Sequence, residues 1–121
     1  MPEAPIDDAA FAELLETVGG DREFLAELVD TYLADSPALF AELRGAIAAD
    51  DDVTARRAAH TLKSTSASFG ANDLAAQCRK IEAVAATGQL AGLDELVERA
   101  AASYTEVEAA LRGAVTAGEA A

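Results

Sequence analysis

Apolar side chains recur at helical spacing through most of the chain. Phe11, Leu14, Leu15 and Val18 stand at i, i+3, i+4 and i+7, the stripe of an amphipathic helix that starts at Asp7 or Asp8. Gly19-Gly20 closes it, because glycine accepts the left-handed conformation at a helix end. Asp21 is the expected cap of a second helix with Phe24, Leu25, Leu28, Val29 and Tyr32 on its inner side. Leu39, Phe40, Leu43 and Ile47 continue the pattern beyond Ser36-Pro37. That pair reads either as a cap followed by Pro at the first position of a new helix or as a kink within one long helix. Asp50-Asp51-Asp52 marks the next boundary, where carboxylates suit the positive end of a helix dipole. A further helix is predicted from about Val53 to Phe69, closed by Gly70. Asn72 is the expected cap of the next, with Leu74, Cys78, Ile81 and Ala85 as its stripe and Gly88 as its stop. The last helix carries Leu93, Leu96, Val97, Ala100, Tyr104, Val107 and Leu111. β-Branched residues are sparse and do not alternate, so no sheet is expected. Short connections favour antiparallel neighbours, which predicts an all-α, up-down helical bundle. One domain is expected over residues 7–115, between a flexible N-terminus at 1–6 and a frayed tail at 116–121.

Composition narrows the chemistry. The 121 residues carry a formal charge of -13, and 51% count as hydrophobic. Of these, 31 are Ala, so the core rests on Leu, Ile, Val and Phe while Ala lets helices approach closely. The charge argues against nucleic acid and anionic lipid as partners, since phosphate binding needs an excess of Lys and Arg. One Cys forms no internal disulfide, and one Cys with one His falls short of a zinc site. No Glu-x-x-His pair for a di-iron bundle and no Gly-rich phosphate loop occurs. No apolar run approaches ~20 residues, and the start of the chain lacks the features of a signal peptide. A cytoplasmic protein is expected, with no cofactor of its own.

The informative segment is Arg56-Arg57-Ala58-Ala59-His60-Thr61-Leu62-Lys63-Ser64. On a wheel of about 100° per residue, Ala58, Leu62, Thr65 and Phe69 fall within about 40° of the pole opposite His60 and form the core stripe. Val53, Arg56, Arg57, Lys63, Ser64 and Ala67 share the side of His60. The imidazole therefore points away from the core, which leaves an ordinary surface histidine as the competing reading. Three of the nine basic residues surround it on an acidic chain. Cations there disfavour imidazolium and favour a bound dianion, while small Ser64 and Ala67 leave room beside the ring. A neutral histidine so placed suits nucleophilic attack on phosphorus.

The set His60-Thr61-Leu62-Lys63-Ser64, Phe69-Gly70-Ala71, Leu74, Cys78 and Ile81-Glu82 resembles the histidine-containing phosphotransfer (HPt) domain. Ala58-Ala59, Phe24-Leu25 and Asp35-Ser36-Pro37 fit as well, so the likeness covers roughly residues 10 to 112. It implies a core of four helices, with the first predicted helix as an extra N-terminal cap. It also implies that His60 is phosphorylated on its outward Nε2 and that Lys63 stabilises the phosphoryl charge. Ser64 stands where the family usually has Gly, which bears on docking more than on chemistry. Glu82, at the border of the core stripe of its helix, reads either as a plain surface residue or as the acceptor for Nδ1–H that orients the ring. Val53, Arg56, Arg57, Ser64 and Ala67 are the docking candidates, although Val53 reads more readily as first-turn packing at the helix start. The implied partners are response-regulator receiver domains and a hybrid histidine kinase, with Mg²⁺ supplied by the receiver. A monomer is expected, its first helix packing in cis, and the Ala- and Arg-rich composition suggests a bacterial source.

Other readings are weaker. A histidine kinase would have an acidic residue after the His, then a Pro; Thr61 follows here, and no Pro occurs after Pro37. A hydrolase assembled from Ser64 or Ser66, His60 and Glu82 lacks an evident oxyanion hole. The serious alternative is a helical adaptor that binds a receiver or kinase without carrying phosphate.

Overall fold

The computed structural model describes the backbone of residues 4–120 and the side chains of residues 4–116. It contains five helices: α1 Asp8–Thr17, α2 Arg22–Ala48, α3 Asp52–Ser68, α4 Asn72–Ala85 and α5 Leu93–Ala120. α2 packs on α3 and α5, and α4 closes the ring by packing on the same two helices. This is a four-helix bundle. α1 lies outside the ring as a cap, with Phe11 and Leu14 resting on the core from the same chain.

The helix boundaries follow local chemistry. Asp7, Asp21 and Asp51 each accept backbone N–H bonds from the first turn of α1, α2 and α3. α3 ends in a Schellman motif: Gly70 N–H donates to Ala67 O and Ala71 N–H to Ser66 O, with Gly70 at φ +77°. Asn72 does not cap α4 as the sequence suggests. Asn72 is already the first helical residue, and Ala71, wholly buried in the turn between α3 and α4, holds the cap position with a methyl that can accept no bond.

Pro37 lies inside a single continuous α2. It removes the N–H that would reach the carbonyl of Leu33, and the Tyr104 hydroxyl of α5 donates to that carbonyl at 3.2 Å instead. The helix thus passes through the proline because a neighbouring helix takes over the orphaned acceptor. Tyr104→Phe is expected to leave it unsatisfied and to cost about 1–3 kcal/mol, measured by urea unfolding.

Two terminal expectations change. Ile6 is 5% exposed and Asp7 N–H donates to Gly70 O at 2.8 Å, so the segment before α1 is fastened at its end rather than free; residues 1–3 lie outside the described residues. α5 continues as helix through Ala120, where fraying was expected from residue 116. Phe24, expected inside, is 45% exposed; the inner side of α2 is carried by Leu25, Val29 and Tyr32, with Leu28 part-buried.

Gly70 serves two purposes. A Cβ there would stand 2.9 Å from Ala10 Cβ and 3.0 Å from Asp7 O, whereas one at Gly19 (φ +71°) would meet nothing within 4 Å. Gly19→Ala should therefore cost only the left-handed penalty of about 1–2 kcal/mol. Gly70→Ala should cost distinctly more and speed amide exchange at Asp7. Thermal unfolding and hydrogen exchange of the two variants check this.

Candidate functional site

The core stripe of α3 is rotated from the wheel expectation. Ala55, Ala58, Ala59, Leu62 and Ser66 are buried, while Thr65 is only part-buried. The rotation follows from α4, the helix against which α3 packs most extensively. Small residues of both helices, Ala55 and Ala59 on α3 and Cys78 and Ala85 on α4, are buried at 0% exposure and allow close approach. His60 remains outside this interface, with its side chain 60% exposed.

The close approach brings Glu82 of α4 to the imidazole. Glu82 is 18% exposed and receives two donors: His60 Nδ1 at 2.5 Å from Oε2, and Lys63 Nζ at 2.7 Å from Oε1. The Lys63 hydrogen bond, supported by that of His60, holds the Glu82 carboxyl below its ordinary value of 4.5 against the opposing effect of burial. At neutral pH it is a carboxylate and only accepts, so Nδ1 carries the ring proton. Nε2 then holds the lone pair of the neutral ring, and it has no hydrogen-bond partner among the described residues.

Several expected site residues are placed differently from the wheel. Lys63 is not a free surface cation; its side chain is 26% exposed and tied to Glu82. Arg57 is drawn away to Glu42 of α2 at 3.1 Å. The charge nearest the ring is therefore the Glu82 carboxylate shared with Lys63, not the three cations that the wheel suggested. Arg56, Ser64 and Ala67 are exposed on the same side as His60. Val53 is 70% exposed, which removes the first-turn packing reading.

A groove of about 280 Å³ opens beside this face between α1, α2 and α3. Leu14, Leu28, Leu39 and Phe69 line it, and Thr61, next to His60, stands at its edge. No single stretch of the chain signals it, since its walls come from three helices. A larger cavity, about 470 Å³, lies between α4 and α5 around Gln77, Lys80 and Arg99 and includes none of the residues around His60.

A helical bundle that displays one oriented imidazole on its outer surface, with one nitrogen held and the other open, belongs to the class of phosphohistidine carriers. The family model of the Hpt domain matches residues 27–116, and the chain is a member of that family of phosphorelay carriers. The crystal structure of histidine-containing phosphotransfer protein B (HptB) from Pseudomonas aeruginosa PAO1 is similar, with TM-score 0.86 and 27% identity over 95% of this chain and 97% of that one. The HPT domain from the Hpt sensor hybrid histidine kinase from Shewanella shares the fold, with TM-score 0.70 and 18% identity over 88% of this chain and 92% of that one. No curated protein matches the chain. Members of the family interact with receiver domains and histidine kinases. No described helix is long and apolar enough to cross a membrane.

Proposed function

We propose that His60 is the phosphoryl carrier of this chain. The observation that supports it is the hydrogen bond from Nδ1–H to Glu82, which leaves the Nε2 lone pair open on an exposed face. Nε2 attacks the phosphorus of a receiver aspartyl phosphate; the N–P bond forms as the P–O bond to the aspartate breaks. The aspartate leaves as a carboxylate. Nδ1 keeps its proton throughout, so the ring becomes cationic as it takes the phosphoryl group, and Glu82 stands against that charge. Lys63, one turn along α3 and bonded to the same carboxylate, is suited to stabilise the phosphoryl oxygens. The reverse transfer to a second receiver aspartate uses the same geometry.

The partner docks over the outer face of α3. Val53, Ser64 and Ala67 offer it an uncrowded surface, Arg56 offers charge while Arg57 is held by Glu42, and the groove at Leu14, Leu28, Leu39 and Phe69 offers a foothold beside Thr61. Mg²⁺ comes with the receiver. A hybrid histidine kinase is the proposed upstream partner, the carrier acts as a cytoplasmic monomer, and phosphate enters only from a partner. The test is transfer from a panel of receiver domains charged with a small phosphodonor. Acid-labile, alkali-stable label on His60 is the expected result; label from no receiver would favour a helical adaptor instead.

A further inference from the structure

Charge is spread unevenly over the bundle. Residues 53–82, nearly all of α3 with the following turn and most of α4, hold five basic and two acidic side chains. The other 91 residues hold four basic and twenty acidic ones. Counted over the whole of both helices, residues 52–85, where Asp52 stands one turn before Arg56, the segment is net positive by two on a molecule that is otherwise negative by fifteen.

The location of the free cations matters more than their number. Arg57 and Lys63 are neutralised by Glu42 and Glu82. Arg56 and Arg79 are exposed and make no ion pair among the described residues. Arg56 precedes His60 by one turn of α3, and Arg79 precedes Glu82 by one turn of α4, so each neighbours a member of the His60–Glu82 pair along its own helix. Lys80, beside Arg79 in sequence, lines the α4–α5 cavity instead.

We propose that Arg56 and Arg79 form a cationic island that steers an acidic protein face onto His60, while the acidic remainder of the surface turns other orientations away. The inference rests on the relay reading and gives it a partner chemistry: a receiver whose phosphoacceptor pocket is rimmed by carboxylates. A small patch of one sign on a body of the other sign gives a directional field, which acts on encounter more than on the strength of the docked complex. Salt shortens its reach, since the Debye length falls to about 10 Å at 0.1 M.

The experiment uses the full chain and the receiver domain that labels it fastest, charged with acetyl phosphate. Second-order transfer rates are compared between about 20 and about 400 mM NaCl, a range over which the field is progressively screened. Arg56→Gln/Arg79→Gln should lower the rate roughly 3- to 10-fold at low salt and flatten its salt dependence, with the loss in KM rather than in single-turnover rate. Arg22→Gln/Arg99→Gln removes the same charge elsewhere and should have a much smaller effect. Equal losses in the two double variants, or an unchanged salt slope in the first, would overturn the island while label on His60 left the relay standing. Absence of label from every receiver would overturn both.

Discussion

Phosphoryl uptake is expected to vanish in His60→Gln while the bundle stays folded. The amide nitrogen of Gln has its lone pair delocalised into the carbonyl and offers no nucleophile toward phosphorus, so the loss should be complete rather than partial. The fold should tolerate the change because the His60 side chain is 60% exposed and makes its one hydrogen bond to Glu82, which keeps Lys63 as a partner. Exposed substitutions of this kind usually alter stability by no more than about 0.5 kcal/mol. Far-UV circular dichroism and thermal unfolding check the fold, and transfer from a charged receiver checks the chemistry. Label at the wild-type level in the variant would remove His60 from the mechanism, whereas loss of label together with loss of helix would show that the histidine holds the structure.

The second large effect is expected at Glu82. Its carboxylate fixes the proton on Nδ1, faces the ring as it becomes cationic, and holds Lys63. Carboxylates that orient metal-ligating histidines typically contribute 10- to 100-fold, and by analogy Glu82→Ala should slow single-turnover transfer by roughly that factor. Glu82→Gln retains an oxygen to accept Nδ1–H but not the charge, and should fall between wild type and Ala. Receiver affinity should change little in either variant, a division that a purely structural residue would not produce.

Glu82 also gives a pH prediction. Its carboxyl lies below the ordinary value of 4.5 in the folded protein, so its contribution to stability is present above the unfolded value and is lost as pH falls through the lowered folded value. Wild type and Glu82→Gln should therefore converge in stability as the pH falls below the ordinary value of 4.5 and through the lowered folded one. Urea midpoints measured from neutral pH downward test this. The comparison with Gln isolates Glu82 from Glu98 and Asp51, whose carboxyls are also lowered, by Arg44 and by hydrogen bonds from Thr54.

Most of the bundle was legible in the sequence because its signals are local. The Gly19-Gly20 stop, the Asp21 and Asp51 caps, the Gly70 turn and the stripe Leu74, Cys78, Ile81 and Ala85 depend on residues within a turn or two of one another. Where the reading failed, the missing information lay in another helix. Pro37 was ambiguous because its tolerance depends on Tyr104, 67 positions away. Phe24 fits the helical period, yet nothing packs over it closely enough to bury it. Asn72 is a good cap by type, but Ala71 already fills the buried turn.

The site divides in the same way. The sequence by itself determined that one imidazole leaves an all-α bundle on the side opposite the core, with basic and small neighbours, because helical periodicity fixes the direction of a side chain. Only the tertiary structure decided what that imidazole touches. The small buried residues of α3 and α4 set the distance between the two helices, and that distance decides that Glu82 reaches both Nδ1 and Lys63. The packing of α2 on α3 likewise withdraws Arg57 to Glu42, while Arg56 and Arg79 make no ion pair among the described residues. Periodicity specifies angles about one helix axis, whereas hydrogen bonds depend on separations between axes, and those are fixed by packing.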